Sequence, residues 1–412
     1  MKAYRFPLIL LSGILIGGLI GIVAGEQAVV LKPFGDIFLN AMFTVVIPLV
    51  FFTIASSIAN MDGTKRLGKI MGSMMGVFLA TGFAAALFGL LIVKIVPPAQ
   101  GVSIQLEKPE ALEEVSLADQ IVRTFTVPDF IDLFFRGNML ALIVFSLLLG
   151  LAVSMSGEKG RPFASFLTSG SEVLMKLVSF IMYYAPIGLG AYFATLAGEY
   201  GPMLLGTYVR ASAAYYIGAV IYFLVFFTLF AYLAGRMTGV KVFWKNIFSP
   251  AVTSLATCSS AASLPVNLAA AEKMGVKSDI RETTIPLGAA LHKDGSVIGG
   301  VFKIVFLFGI FDMDLSGFGT YTSIILVSLL VGMVMGAIPS GGMIGEMLIL
   351  SLYGFPPEAL PIIAAISTII DPPATMLNVT GDTVSSMLTS RVVEGKDWLK
   401  RQGEKAVEKI AS

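Results

Sequence analysis

Four ionisable residues stand inside long apolar runs: Lys293, Asp294, Asp371 and Asp382. Charged groups deep in apolar spans cost roughly 2.5–3.5 kcal/mol each on insertion scales and are as a rule paired or functional. One lysine against three aspartates leaves positive charge short. A bound cation, a substrate ammonium or protonation would fill the deficit, and a purely structural ion-pair network is the plainer alternative. His292 directly precedes Lys293 and is the only histidine of the chain, which excludes a His-based zinc site of the usual spacing. Its imidazole is read either as a proton carrier or as a packing group. Cys258 is the only cysteine, so no intramolecular disulfide and no multi-cysteine metal cluster forms. It reads as a small lining residue, since nothing around it marks a lowered pKa. Ser259 has no second histidine or base to make it a nucleophile. These residues point to holding and moving charge, not to covalent catalysis.

Groups of this kind need elements that carry them through a nonpolar medium. The chain has 412 residues, 56% hydrophobic and 13% charged, with mean hydropathy +0.85. Soluble domains are ~45–50% apolar and ~25% charged, so the surplus must face lipid. A net charge of +1 offers no excess for a polyanion, and nucleic acid is not an expected partner. Apolar segments of spanning length lie at about 6–25, 37–59, 68–97, 130–156, 164–198, 203–235, 283–313 and 357–390. The first has no A-x-A cleavage site after it and reads as a retained span. Two further stretches, about 243–276 and 320–356, are rich in Gly, Ala, Ser and Pro at their centres and read as re-entrant hairpins. The expected fold is thus an all-α membrane protein with eight transmembrane helices and two re-entrant helical hairpins.

Basic residues orient it. With the N terminus in the cytoplasm, Lys65, Arg66 and Lys69, then Lys159 and Arg161, then Arg236, Lys241 and Lys245 all fall inside. Lys273, Lys277 and Arg281 after the first hairpin, and Lys396, Lys400 and Arg401 in the tail, fall inside too. The outer loop 99–128 instead carries Glu107, Glu110, Glu113, Glu114 and Asp119. Both termini are expected in the cytoplasm.

The second half repeats a design. A hairpin with tip Cys258-Ser259-Ser260-Ala261-Ala262-Ser263 is followed by a span carrying His292-Lys293-Asp294-Gly295-Ser296. A second hairpin, with tip Gly336-Ala337-Ile338-Pro339-Ser340-Gly341-Gly342, is followed by a span carrying Asp371 and Asn378-Val379-Thr380-Gly381-Asp382. The charge rule opens the two hairpins to opposite sides. Paired interrupted segments of opposite topology mark the midplane site of a transporter, where freed backbone groups meet ligand or ion.

On these residues the chain resembles the glutamate transporter family, the dicarboxylate/amino acid:cation symporters. The similarity covers nearly all of the chain, from Pro48-Leu49-Val50-Phe51-Phe52 through Ser259-Ser260 and Leu264-Pro265-Val266 to Asn378–Asp382. It implies a homotrimer in the bacterial inner membrane, working as an elevator. Residues 1–67 and 99–200 (spans 1, 2, 4 and 5) would form the scaffold. Residues 68–98 (span 3) and 201–395 (spans 6 to 8 with both hairpins) would form the moving transport domain, and 396–412 a cytoplasmic tail. By the same resemblance Ser259 and Ser260 would bind the substrate carboxylate, and Ala337, Ile338, Pro339, Ser340 and Gly341 would close over it. Asp371 would hold the amino group, with Thr375 and Asn378 as polar contacts. Gly288, Asn378 and Asp382 match one sodium site, and Thr81 and Asp294 match part of a second; oxygen ligands suit a hard cation. No organic cofactor is implied, only sodium or a proton as coupling ion.

The departures carry more information. The arginine that binds a side-chain carboxylate in acidic amino-acid transporters is Ala374 here, after Pro372 and Pro373. Cys258 replaces the arginine that archaeal relatives carry on the first hairpin. With no guanidinium at either place, aspartate and glutamate are not the expected substrates. Lys293 replaces a methionine beside one sodium ion, Ala290 and Met335 replace threonines near it, and His292 replaces an asparagine supporting another sodium site. The glutamate that carries a proton in animal glutamate transporters is Gly300. Lys293 is therefore open to three readings: a tethered stand-in for a cation, a contact to a substrate carboxylate, or a structural partner of Asp294, Asp371 or Asp382. The expected function is a symporter for a small, neutral amino acid, with proton coupling or reduced sodium dependence because Lys293 replaces a cation. A cation-coupled dicarboxylate or small-carboxylate transporter is the alternative. An anion channel or leak pathway is the alternative of a different class. Lys303 is expected to snorkel or pair, and Glu346 has no assigned role.

Overall fold

The computed structural model describes residues 5–60, 65–99, 126–135, 138–200, 202–335 and 341–399. Among them the chain is helical, with no strand. In chain order the helices are α1 (Arg5–Ala24), α2 (Lys32–Ala59), α3 (Lys65–Ile95), α4 (Met139–Met155), α5 (Arg161–Tyr200), α6 (Pro202–Ile221), α7 (Phe227–Asn246), α8 (Phe248–Thr257), α9 (Ser260–Lys273), α10 (Ser278–Leu291), α11 (Asp294–Ile310), α12 (Phe318–Val334), α13 (Gly341–Tyr353) and α14 (Leu360–Glu394). Among the described residues five stretches are long and apolar enough to cross a bilayer: Ser12–Phe38, Gly68–Ile95, Arg161–Gly198, Gly206–Asn246 and Pro357–Glu394. Shorter apolar helices include Ala141–Met155, Phe318–Val334 and Gly342–Tyr353. This is the fold of a multi-pass membrane protein. It exposes apolar side chains such as Val23 and Leu19, as a lipid-facing surface does.

Three interruptions matter. Tyr222–Phe226 forms a π-helical turn between α6 and α7. Helix α7 bends at Gly235 and Arg236, which leave helical geometry. The seventh apolar segment is two helices, α10 and α11, parted at His292 and Lys293. By contrast α14 runs unbroken through Pro372 and Pro373. A proline lacks the N–H that would bond the carbonyl four residues back. For Pro373 that carbonyl is Ile369 O, and the Tyr216 hydroxyl donates to it at 2.9 Å.

Packing divides the helices. Helix α5 lies along α1 and α2, and α4 lies on α2. Helices α11 and α14 form the centre of the rest, with α3, α7, α8, α10, α12 and α13 packed on one or both. All of α11 is buried except Gly309, so its all-round apolar surface is core. The α1–α5 contact depends on small residues at four-residue spacing. A Cβ on Gly17 would stand 2.0 Å from Gly190 O, and one on Gly21 2.1 Å from Ala194 O. Such small-xxx-small faces let membrane helices touch through their backbones. Gly17→Val is expected to lower the melting temperature, since overpacking costs about 1–3 kcal/mol. An unchanged melting temperature in detergent would count against this close contact.

Candidate functional site

Helix α8 ends in a left-handed cap at Cys258 (φ 48°, ψ 34°), and Ser259 is extended. Such a residue stops a helix, and a non-glycine pays steric strain there. The Ser259 hydroxyl accepts from the Ala262 N–H at 3.2 Å, capping α9. The break thus brings the carbonyl end of α8 against the N–H end of α9, where the first amides have no helical partner and carry partial positive charge. Ser259 and Ser260 are both buried.

Lys293 reaches this break. Its Nζ donates to Ser260 Oγ at 3.0 Å, and the residue is 4% exposed. Among the described residues no carboxylate is in ion-pair contact with it, although Asp382 and Asp371 act on it electrostatically. A buried ammonium held by one hydroxyl is short of partners. Beside it a small cleft, lined by Met75, Leu79, Val297 and Leu329 among others, lies against Lys293 and His292.

Asp371 stands on α14 with its Oδ1 accepting from Thr375 Oγ1 at 3.1 Å. It interacts electrostatically with Lys293 and Lys303 and also with Cys258, Tyr215 and Tyr216. Gly295 lies so close that an added Cβ would stand 2.3 Å from Ala374 O, which fixes the start of α11 on α14. Asn378 uses both amide atoms on Ser296: Oδ1 accepts from its N–H at 3.2 Å and Nδ2 donates to its Oγ at 3.0 Å.

His292 sits among three elements. Its Nδ1 is 3.0 Å from Asp382 Oδ1 and its Nε2 is 2.8 Å from Thr81 Oγ1. Nε2 also stands 3.0 Å from Asp294 Oδ1, in a contact too skewed for a hydrogen bond. The ring stacks on Phe78 at 4.4 Å and 13°. The Tyr222 hydroxyl reaches Asp294 Oδ2 at 3.3 Å and Thr81 O at 3.2 Å. The π-helical turn, a form often found at functional sites, carries this tyrosine. A Cβ on Gly288 would lie 2.5 Å from Asp382 Oδ1, so only glycine fits that approach.

The structure thus brings Lys293 to Ser260, Thr375 to Asp371, and His292 to Thr81, Asp294 and Asp382. Asn378 turns to Ser296. Gly341 begins α13, while Ala337, Ile338, Pro339 and Ser340 lie outside the described residues. Sequence reasoning passed over Tyr215, whose hydroxyl donates to Gly295 O at 2.8 Å, and over Tyr216, Tyr222 and Phe78. Aromatics in apolar spans read as packing, and only the π-helical turn sets Tyr222 apart. Glu346, without a role in the sequence, pairs with Lys303 at 3.4 Å, and Lys303 also donates to Ser367 Oγ at 2.9 Å.

The chain is 28% identical over 398 residues to the "Proton/sodium-glutamate symport protein" of Bacillus caldotenax, covering 92% of this chain and 93% of that one. It is 27% identical over 389 residues to the "C4-dicarboxylate transport protein" of Bacillus subtilis (strain 168), covering 92% of each. It is 28% identical over 394 residues to the protein of that same name from Rhizobium etli, covering 92% of this chain and 87% of the relative. The model of the sodium:dicarboxylate symporter family matches residues 6–392. With nearly its whole length matched, the chain belongs to the sodium:dicarboxylate symporter family, whose members are transporters and not enzymes.

Proposed function

We propose that the chain is a cation-coupled secondary transporter that carries a small carboxylate-bearing substrate, with Lys293 as the group that meets the carboxylate. One observation carries this reading: the buried Lys293 ammonium lies on Ser260, at the positive end of α9, with no carboxylate paired to it among the described residues. An ammonium and a helix N-terminus aimed at one place form an anion site. Asp371, within electrostatic reach of Lys293, supplies the opposite charge. That pair of charges complements a zwitterion. With Ala374 and Cys258 in place of the two arginines, a neutral amino acid fits best. The names of the relatives, glutamate and C4-dicarboxylate transporters, favour a dicarboxylate as the second reading.

The packing of α5 on α1, α2 and α4, with lesser contacts from this group to α12, α13 and α14, supports a scaffold of 1–67 and 99–200 and a transport domain of 68–98 and 201–395 moving as an elevator. Eight spans, two re-entrant hairpins of inverted topology, a homotrimer, and cytoplasmic termini at a bacterial inner membrane complete the proposal.

Uptake into liposomes tests it. Radiolabelled neutral amino acids, glutamate and succinate are offered under a sodium gradient, a proton gradient, or neither. Saturable uptake of one compound driven by a cation gradient is the expected result. Unsaturable flux of anions along their own gradient would defeat the carrier reading in favour of a channel.

A further inference from the structure

We infer that the His292 side chain itself fills the space among Thr81, Asp294 and Asp382, so that this oxygen set takes no sodium ion. The inference rests on the reading of the chain as a cation-coupled symporter and narrows which ion couples there. Three helices close on the ring, and a fourth element backs one of them. Helix α3 offers Thr81 Oγ1 at 2.8 Å from Nε2. Helix α11 offers Asp294 Oδ1 at 3.0 Å from Nε2. Helix α14 offers Asp382 Oδ1 at 3.0 Å from Nδ1. The π-helical turn covers Asp294 from behind through the Tyr222 hydroxyl, 3.3 Å from Oδ2. Phe78 lies on the face of the ring at 4.4 Å, and the Cβ position of Gly381 is 3.4 Å from Cε1. The residue is 2% exposed, so the ring is buried among these groups.

A hard cation needs several oxygens that converge on empty space. Here an imidazole stands where they converge, whichever tautomer it adopts. Neighbouring oxygens already have partners. Gly288 O accepts the His292 N–H at 2.8 Å, and Asn378 is committed to Ser296. Of the two carboxylates, Asp294 Oδ1 and Asp382 Oδ2 are left without a hydrogen-bond partner among the described residues; Asp294 Oδ1 already stands against the ring at 3.0 Å, and two such oxygens do not make the several-oxygen shell a hard cation needs. Among the described residues no three His, Cys, Asp or Glu side chains are placed to hold a metal ion. An asparagine would leave more room than the ring and offer an oxygen in place of an N–H.

The test is thermal unfolding of the purified full-length chain in sodium chloride against equimolar choline chloride, for wild type, Asp382→Asn, His292→Asn and His292→Asn/Asp382→Asn. Ligands that bind the folded state alone raise the melting temperature. Wild type and Asp382→Asn are expected to respond alike to the exchange of choline for sodium. His292→Asn is expected to gain a rise of a few degrees in sodium that Asp382→Asn then removes. A sodium-dependent rise in wild type that Asp382→Asn abolishes overturns the inference. So does a folded His292→Asn no more responsive than wild type; if that variant does not fold, His292→Gln is read in its place, and the wild-type arm decides alone if neither folds. The transporter reading fails separately, by absence of gradient-driven uptake.

Discussion

Replacing Lys293 by methionine is expected to raise the substrate KM on the order of 10²-fold while leaving the dependence on the driving cation as it was. Truncating one partner of a buried, hydrogen-bonded charge pair costs about 2–5 kcal/mol, and each ~1.4 kcal/mol is tenfold in binding. The side chain is nearly the same length, so the packing of α11 against α3 and α12 is kept. What disappears is the ammonium, and with it the strongest positive group at the break between α8 and α9. The α9 N-terminus remains, which is why binding is weakened and not abolished. Saturable uptake measured over a range of substrate concentrations gives KM directly. A change in cation dependence with KM unmoved would mean that Lys293 stands in for an ion and not for a substrate partner.

Glu346→Ala is expected to destabilise the folded chain by about 3–5 kcal/mol, because it leaves the Lys303 ammonium buried without its counter-charge. The two side chains are 3% and 1% exposed and stand 3.4 Å apart. They join α13 to α11, and the Lys303 bond to Ser367 extends the link to α14. The pair therefore ties one arm of the second proposed hairpin to the core that carries the site. Lys303→Met should cost a similar amount, since Glu346 would then be the stranded charge. Joining Lys303→Met with Glu346→Leu is expected to recover most of the loss, as replacing both members of a buried pair by apolar groups is often near neutral. Melting temperatures of the three variants in one detergent check this. Single substitutions that each cost under about 1 kcal/mol would show that the pair is not buried as described.

Much of this was legible in the sequence for a physical reason. Spans follow from runs of apolar residues, and α1, α3, α5 and α14 fall close to where those runs lie. Lys293, Asp294 and Asp382 announced themselves because charge in an apolar run is costly. The break at His292–Lys293 was not legible: residues 283–313 read as one span, and nothing local fixed where α10 ends. The destination of Lys293 was not legible at all. Three readings stood open because a long side chain reaches several neighbours, and only the tertiary fold, which sets Lys293 at the α10–α11 break beside Ser260, selects that partner. The place of His292 among three separate elements is likewise a product of tertiary structure. Pro372 and Pro373 fall inside the span read at 357–390, where each removes a backbone N–H. They sit inside α14 because Tyr216 satisfies one of the carbonyls they orphan.

The most direct measurement of the central claim compares a compound with its own amide. Amino acids and C4-dicarboxylates are first screened for the one that most raises the melting temperature of the purified protein. That compound is then set against the derivative in which its carboxylate is a carboxamide (for a dicarboxylate, the monoamide), and both are repeated with Lys293→Met. If Lys293 meets the carboxylate, the parent compound stabilises wild type strongly, the amide does so weakly, and Lys293→Met shows little difference between them. Equal stabilisation of wild type by the acid and its amide would contradict the account.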